Sequence, residues 1–393
     1  MLNIKTVLAL LLFIVGDVKA ALPIPLDLHL LPQQQASRAW PVATLTHAPD
    51  GLRPCCAFGY ALRVEAWKVP VPFYRVGNVV EADNLGGHRY NDSFFGGLMS
   101  VLGLGNEKNG ILYTRHGGFI DTAHVRDTSD MTFWLFSQIL PHLGEPFTLS
   151  LGDELAHREV RLFPYPVPAT ARERYNLALW LSAQIAFQLA AWHEIAQWYG
   201  YESVPGFAEG ISAFSVEDLY SNLLGARLAI GLLVSGHGET VAGYNIALSG
   251  MLSQALQELD AQPAAITRFH FDMLDGMWWD SHRRVPQKDL VLKRNYDTSN
   301  CRLPEHVPGE QHETYLLALS DTWHGQALRR WGELRLLPGR AMQRLPVPQS
   351  FYTVDDFLSL AQHAEAADLT YNGSISHRNS FGACKPIPAL VKH

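Results

Sequence analysis

Apolar residues change their spacing repeatedly along this chain, and each change predicts a different element. Val7 to Val15 is an unbroken apolar run. Residues 21–60 are Pro-rich, lack helical periodicity and read as an extended arm. Ile111-Leu112-Tyr113-Thr114 is a strand entering a glycine pair, Gly117-Gly118, which reads as a turn, a helix entry or an anion nest. A helix is expected from Phe119 to Leu140, stopped by Pro141. Glu145–Leu151 and Glu159–Pro164 alternate like two strands around Gly152-Asp153. Ala169 to Gly200 is the longest helical stretch and is apolar nearly all round, which places it at the centre of a domain. Further helices are expected over Val216–Val234 and Glu239–Leu259, and residues beyond 280 alternate short elements with Pro-rich loops. Strands followed by a helix-rich middle predict an α+β fold, a helical core with a small, mainly antiparallel sheet. The expected organisation is a leader at 1–20, the arm at 21–60, a main domain at 61–280 and a C-terminal extension at 281–393.

The first apolar run is too short for a membrane span. With Lys5 before it and Val18-Lys19-Ala20 after it, it reads as a cleaved secretory signal, so a periplasmic or secreted protein is expected, with no spanning segment in the mature chain. Export would place Cys55, Cys56, Cys301 and Cys384 in an oxidising compartment. Long-range bridges from the adjacent pair to the two distant cysteines are expected, in either order. Composition is that of a globular protein, 47% hydrophobic with 18% charged residues, and the net charge of −7 gives no basic face for nucleic acid.

Against that background the polar residues inside apolar helices carry the chemistry. His193-Glu194 lies near the end of the central helix, where an ionised Glu needs a partner, a metal or a cleft. In H-E-x-x-H two histidines bind zinc and the Glu is a general base, but here Gln197 stands where the second His would be. On the preceding helix His124 heads a seam that becomes apolar, with Asp121 and Asp127 in reach to orient its imidazole and Arg126 able to pair with them or with an anionic substrate group. The third segment carries Glu217, Asp218, Ser221, Asn222 and Gly225 on one small polar face that suits a pocket lining, with Tyr220 on the packing side. Each feature also has a structural reading. Ser215-x-x-Asp218 is a capping box, Glu217 favours a helix dipole, His124 is a satisfied core histidine, and His193-Glu194 is a buried hydrogen-bond pair.

Three motifs, Arg115-x-Gly117-Gly118-Phe119-Ile120-Asp121-x-x-His124-x-Arg126-Asp127, His193-Glu194 with Trp198-Tyr199-Gly200, and Ser215-x-Glu217-Asp218-Leu219-Tyr220-Ser221-Asn222, resemble an uncharacterised family of exported bacterial proteins classed as a domain of unknown function. That resemblance implies no activity. The order of helix, hairpin, His-Glu helix and Glu-bearing helix is also similar to the core of the zincin metallohydrolases. Together these readings give the expectation of an exported metal-dependent hydrolase. His124, His193 and Glu217 would hold zinc, Glu194 would be the general base, and Asp121, Asp127 and Asp218 would support them. Arg126, Tyr220 and Asn222 would contact the substrate or its oxyanion, the substrate being a small molecule, a peptide or a cell-envelope ester or amide. The alternatives are a non-catalytic envelope protein with a buried structural network, and a metal-free glycan hydrolase using Glu194 with Glu217 or Asp218.

Overall fold

The computed structural model describes residues 34–49, 53, 57–66, 68–90, 107–202, 208–342, 345–346 and 350–372. The expected leader, Cys55, Cys56 and Cys384 lie outside the described residues. Cys301 is disulfide-bonded.

The fold is α+β, built on three mutually packed helices: α1 (Thr122–His142), α2 (Ala171–Trp198) and α3 (Asp218–Val234). Both α2 and α3 are buried over nearly their whole circumference, as the all-round apolar sequence of α2 predicts, and the short polar face at the start of α3 is buried with the rest. Local sequence starts and stops α2. Thr170 caps its N-terminus, its hydroxyl accepting from the Glu173 amide at 3.2 Å and donating to the Glu173 carboxylate at 2.7 Å, and Gly200 ends the helix at φ +100°.

The strands arrange themselves around these helices. β1 (Leu62–Ala66) and β2 (Val69–Val76) form an antiparallel pair, and β3 (Ile111–Thr114) pairs with β4 (Gly118–Asp121). β5 (Phe147–Glu154) and β6 (Ala156–Leu162) form a hairpin that β7 (Gly332–Pro338) completes in the order β7-β6-β5. The sheet lies against α2, and at its edge Gly332 leaves room for the Leu162 side chain of β6. Ala36 and Leu45, from the irregular segment 34–49, are buried in the same core. α4 (Val241–Glu258) packs on α3, α5 (Ala264–Leu274) follows, and α6 (Val354–Asn372) packs on α2. Among the described residues no helix is long and apolar enough to cross a membrane.

Three elements differ from the sequence pattern. The helix expected from Phe119 begins at Thr122, because Gly118–Asp121 pairs with Ile111–Thr114 and Arg115-His116-Gly117 is the hairpin turn between them. Pro141 sits inside the last turn of α1 rather than ending it at Leu140; near a C-terminus few backbone bonds remain for proline to remove. α6 occupies a stretch read as short elements and loops, although Phe357, Leu360, Ala361 and Ala364 are buried at helical spacing.

Candidate metal centre

The crossing of α1 and α3 creates the site. A Cβ at Gly225 would overlap the Val125 carbonyl oxygen, so only glycine lets the two backbones come this close. Ser129 Oγ donates to the Gly225 carbonyl at 2.8 Å, and Ser221 Oγ accepts from the Asp121 amide at 3.0 Å. Ser221 and Gly225 therefore serve the helix crossing. They do not line the cavity, as their place on a polar face had suggested.

This approach brings Asp121, His124 and Asp218 together. One ligand atom from each lies within 4.8 Å of the others, and all three residues are buried. Asp121 is the N-cap of α1; its Oδ1 accepts from the Ala123 amide at 2.7 Å and its Oδ2 accepts nothing. His124 Nε2 is 3.2 Å from Asp218 Oδ1 but not aligned as a hydrogen bond. Asp218 does not close the capping box expected from Ser215: α3 starts without a side-chain cap, Ser215 Oγ donates instead to Glu217 Oε2 at 2.5 Å, and both Asp218 oxygens lack a donor.

Around this trio the other acceptors are equally bare. Glu217 Oε1, Glu194 Oε1 and Asn222 Oδ1 are buried without a hydrogen-bond donor. Glu194 is locked through its other oxygen, which accepts from the Phe214 amide at 2.7 Å; Phe214 holds a left-handed backbone at φ +57° to present that amide. Burial, reinforced by the charge of Asp218, pushes the Glu194 carboxyl up to about 7 and holds Glu217 well above the usual range. Burial also pushes Asp121 up to about 6, against the pull of His124. Native interiors leave few buried acceptors unsatisfied, and ionised carboxylates even fewer. A concentration of donor-less oxygens around one imidazole is the environment a divalent cation satisfies. The Asp121–His124–Asp218 group could hold such an ion.

His193 is placed differently from the ligand role expected of it. Its Nε2 is 2.8 Å from Gln197 Nε2 and its Nδ1 3.5 Å from Glu154 Oε1. Burial disfavours its charge, but Glu154 beside it raises its pKa overall. Gln197, standing at the missing second histidine, is thus a polar neighbour of the first one. Glu217 likewise lies beside the trio rather than in it. His193, Glu194, His124 and Asn222 nevertheless line one cavity of about 90 Å³, so three helices do converge on a single polar space.

The remaining candidates lie elsewhere. Asp127 accepts from Arg53 Nη1 at 2.6 Å and from its backbone amide at 2.9 Å, so it holds Arg53 rather than orienting His124. Arg126 is buried against the carbonyls of Lys108 and Leu85 and the Asn109 side chain. Tyr220 donates to the Tyr315 carbonyl at 2.8 Å. Asn222 does reach the site, with Nδ2 2.8 Å from Thr128 Oγ1 and 3.4 Å from His124 Nδ1.

Sequence reasoning missed Glu154, Arg158 and Arg53, which also line the cavity. Simple alternation after the buried Leu149 and Leu151 would turn Asp153 inward and Glu154 outward. A bulge between Ser150 and Asp153 reverses that order and buries Glu154.

No curated protein and no solved structure matches the chain. A family model described as "Protein of unknown function (DUF4056)" matches residues 43–308, and the chain belongs to that family.

Proposed function

We propose that this protein is an exported, zinc-dependent hydrolase of amide or ester bonds, with Asp121, His124 and Asp218 as metal ligands and Glu194 as general base. The observation that carries this reading is the set of buried, donor-less oxygens around His124: Asp121 Oδ2, both Asp218 oxygens, Glu194 Oε1, Glu217 Oε1 and Asn222 Oδ1. One imidazole with two carboxylates suits a borderline divalent ion, and zinc is the one we assign. When bound, such an ion polarises a carbonyl and lowers the pKa of water.

The chain's own residues supply the rest. Glu194 Oε2 is fixed by the Phe214 amide, leaving Oε1 to take the proton of the attacking water as its oxygen bonds to the acyl carbon. The same carboxyl then returns that proton to the departing nitrogen or oxygen as the acyl bond breaks. Asn222, held by Thr128, stands beside His124 as a polar contact in the cavity wall. The apolar lining from Met131, Ala186 and Leu189 limits the water that competes for these groups.

The test is hydrolysis of a panel of amino-acid anilides and nitrophenyl esters by zinc-loaded full-length protein. Turnover in the wild type that falls by about 10²–10⁴ in Glu194→Gln, with zinc retained, supports the reading. Turnover unchanged in that variant, or undetectable throughout the panel, counts against it.

A further inference from the structure

Glu154 has no part in the mechanism above, yet it is one of the most unusual side chains in the cavity. It ends β5 and is buried at 4% exposure. Its Oε1 accepts from Arg158 Nη1 at 2.8 Å and faces His193 Nδ1 at 3.5 Å. Its Oε2 is buried without any donor. Glu154 is thus a carboxylate held in place through one oxygen and without a donor on the other, on a side chain that lines the cavity.

The surroundings select that donor. Glu154 shares its cavity with His124 and Glu194, so a group bound to it lies close to the bond the proposed reaction would break. The cavity's two arginines are already committed. Arg53 is bound by Glu107, Asp127 and Asp130, and Arg158 by Glu154 and the Gly152 carbonyl. Arg158 and His193 both face Oε1, and among the described residues no donor reaches Oε2, so the guest must bring one; an ammonium supplies a donor and also matches the carboxylate's charge. At about 90 Å³, with Met131, Ala186 and Leu189 in its wall, the space suits a short aliphatic group.

We propose that Glu154 receives the free amino group of the substrate, so that the site takes the amino-terminal residue of a peptide or amino-acid amide with a small side chain. This rests on the hydrolase reading for its catalytic meaning, but the recognition itself is separable. Glu154 Oε2 would accept from the ammonium, and the acyl group next to it would extend toward His124 and Glu194.

Calorimetry on zinc-loaded full-length protein tests this with L-alaninamide and N-acetyl-L-alaninamide as probes. The free amine is expected to bind about tenfold to a hundredfold more tightly than the acetylated compound. Glu154→Gln is expected to erase that preference with zinc content unchanged, and Glu154→Asp to weaken it. Equal binding of the two probes to the wild type, or binding of neither, overturns the proposal, and this comparison holds even if the variants do not fold. Selective binding without hydrolysis would retain the recognition site and remove the hydrolase reading.

Discussion

His124 Nε2 and Asp218 Oδ1 lie 3.2 Å apart on two different helices, close but not aligned as a hydrogen bond. An imidazole and a carboxylate meet this way as an ion pair when the imidazole is protonated, or as two ligands of one cation. The geometry depends on the α1–α3 crossing, where Gly225 lies against the Val125 carbonyl, and on Asp121 capping the first turn of α1. The candidate centre is thus a product of helix packing, with its ligands on rigid elements rather than loops.

Gly225→Ala tests that dependence. The added methyl has no room against the Val125 carbonyl, so the helices must separate. A loss of about 1–3 kcal/mol in unfolding free energy is expected by chemical denaturation, together with weakened zinc binding. Wild-type stability and zinc affinity in this variant would mean that the close approach does not set the site.

Asp121→Asn separates a metal centre from a structural network. Asparagine caps a helix as well as aspartate does, while the substitution removes one buried negative charge from the cluster. The zinc-free variant is therefore expected to be more stable than the zinc-free wild type near neutral pH, and to bind zinc at least tenfold more weakly. If the charge instead belongs to a satisfied internal network, stability falls by about 1–3 kcal/mol.

The zinc-free protein should also gain stability as the solution is acidified from about pH 7.5 to about pH 5.5. Asp121 and Glu194 keep their protons up to about 6 and about 7 in the fold, above their values in an unfolded chain. Carboxyls raised in this way favour folding below the unfolded value, and that contribution is lost as pH rises through the folded value. His193, raised by Glu154, acts in the same direction, while the lowered Glu154 and Asp130 matter only in more acidic solution. With zinc bound the trend should reverse, because protons compete with the metal for the ligands. Thermal melts across this range, with and without zinc, provide the check.

Much of the site was legible before any coordinates. His124, Glu194 and Asn222 announce themselves as polar residues within apolar helical stretches, and all three line the cavity. What failed was the division of labour. A capping-box spacing could not reveal that Ser215 bonds to Glu217 and leaves Asp218 bare. The role of His193 depends on Glu154, some forty positions away, and Glu154 faces inward only through a bulge that breaks period-two alternation. Asp127 was legible as a carboxylate within reach of His124 on the same helix, but its partner Arg53 comes from a segment with no periodic signal. The fold class followed from the apolar runs themselves. Strand β4 was hidden because its residues also fit the helical pattern that continues after them.

Gln197→His restores the spacing of two histidines on one helix turn. Because His193 faces Glu154 and is not among the three residues that meet, the substitution is expected to add no second zinc and to leave affinity at the first site within about twofold, as for a site with no shared partner. Metal analysis of the variant after dialysis reads this out.

The most direct measurement is zinc content in untagged protein purified without chelators, for the wild type, His124→Ala and His193→Ala. The account predicts stoichiometric zinc in the wild type, its loss in His124→Ala and its retention in His193→Ala. Absence of zinc from the wild type even after reconstitution, or retention of it in His124→Ala, would contradict the assignment.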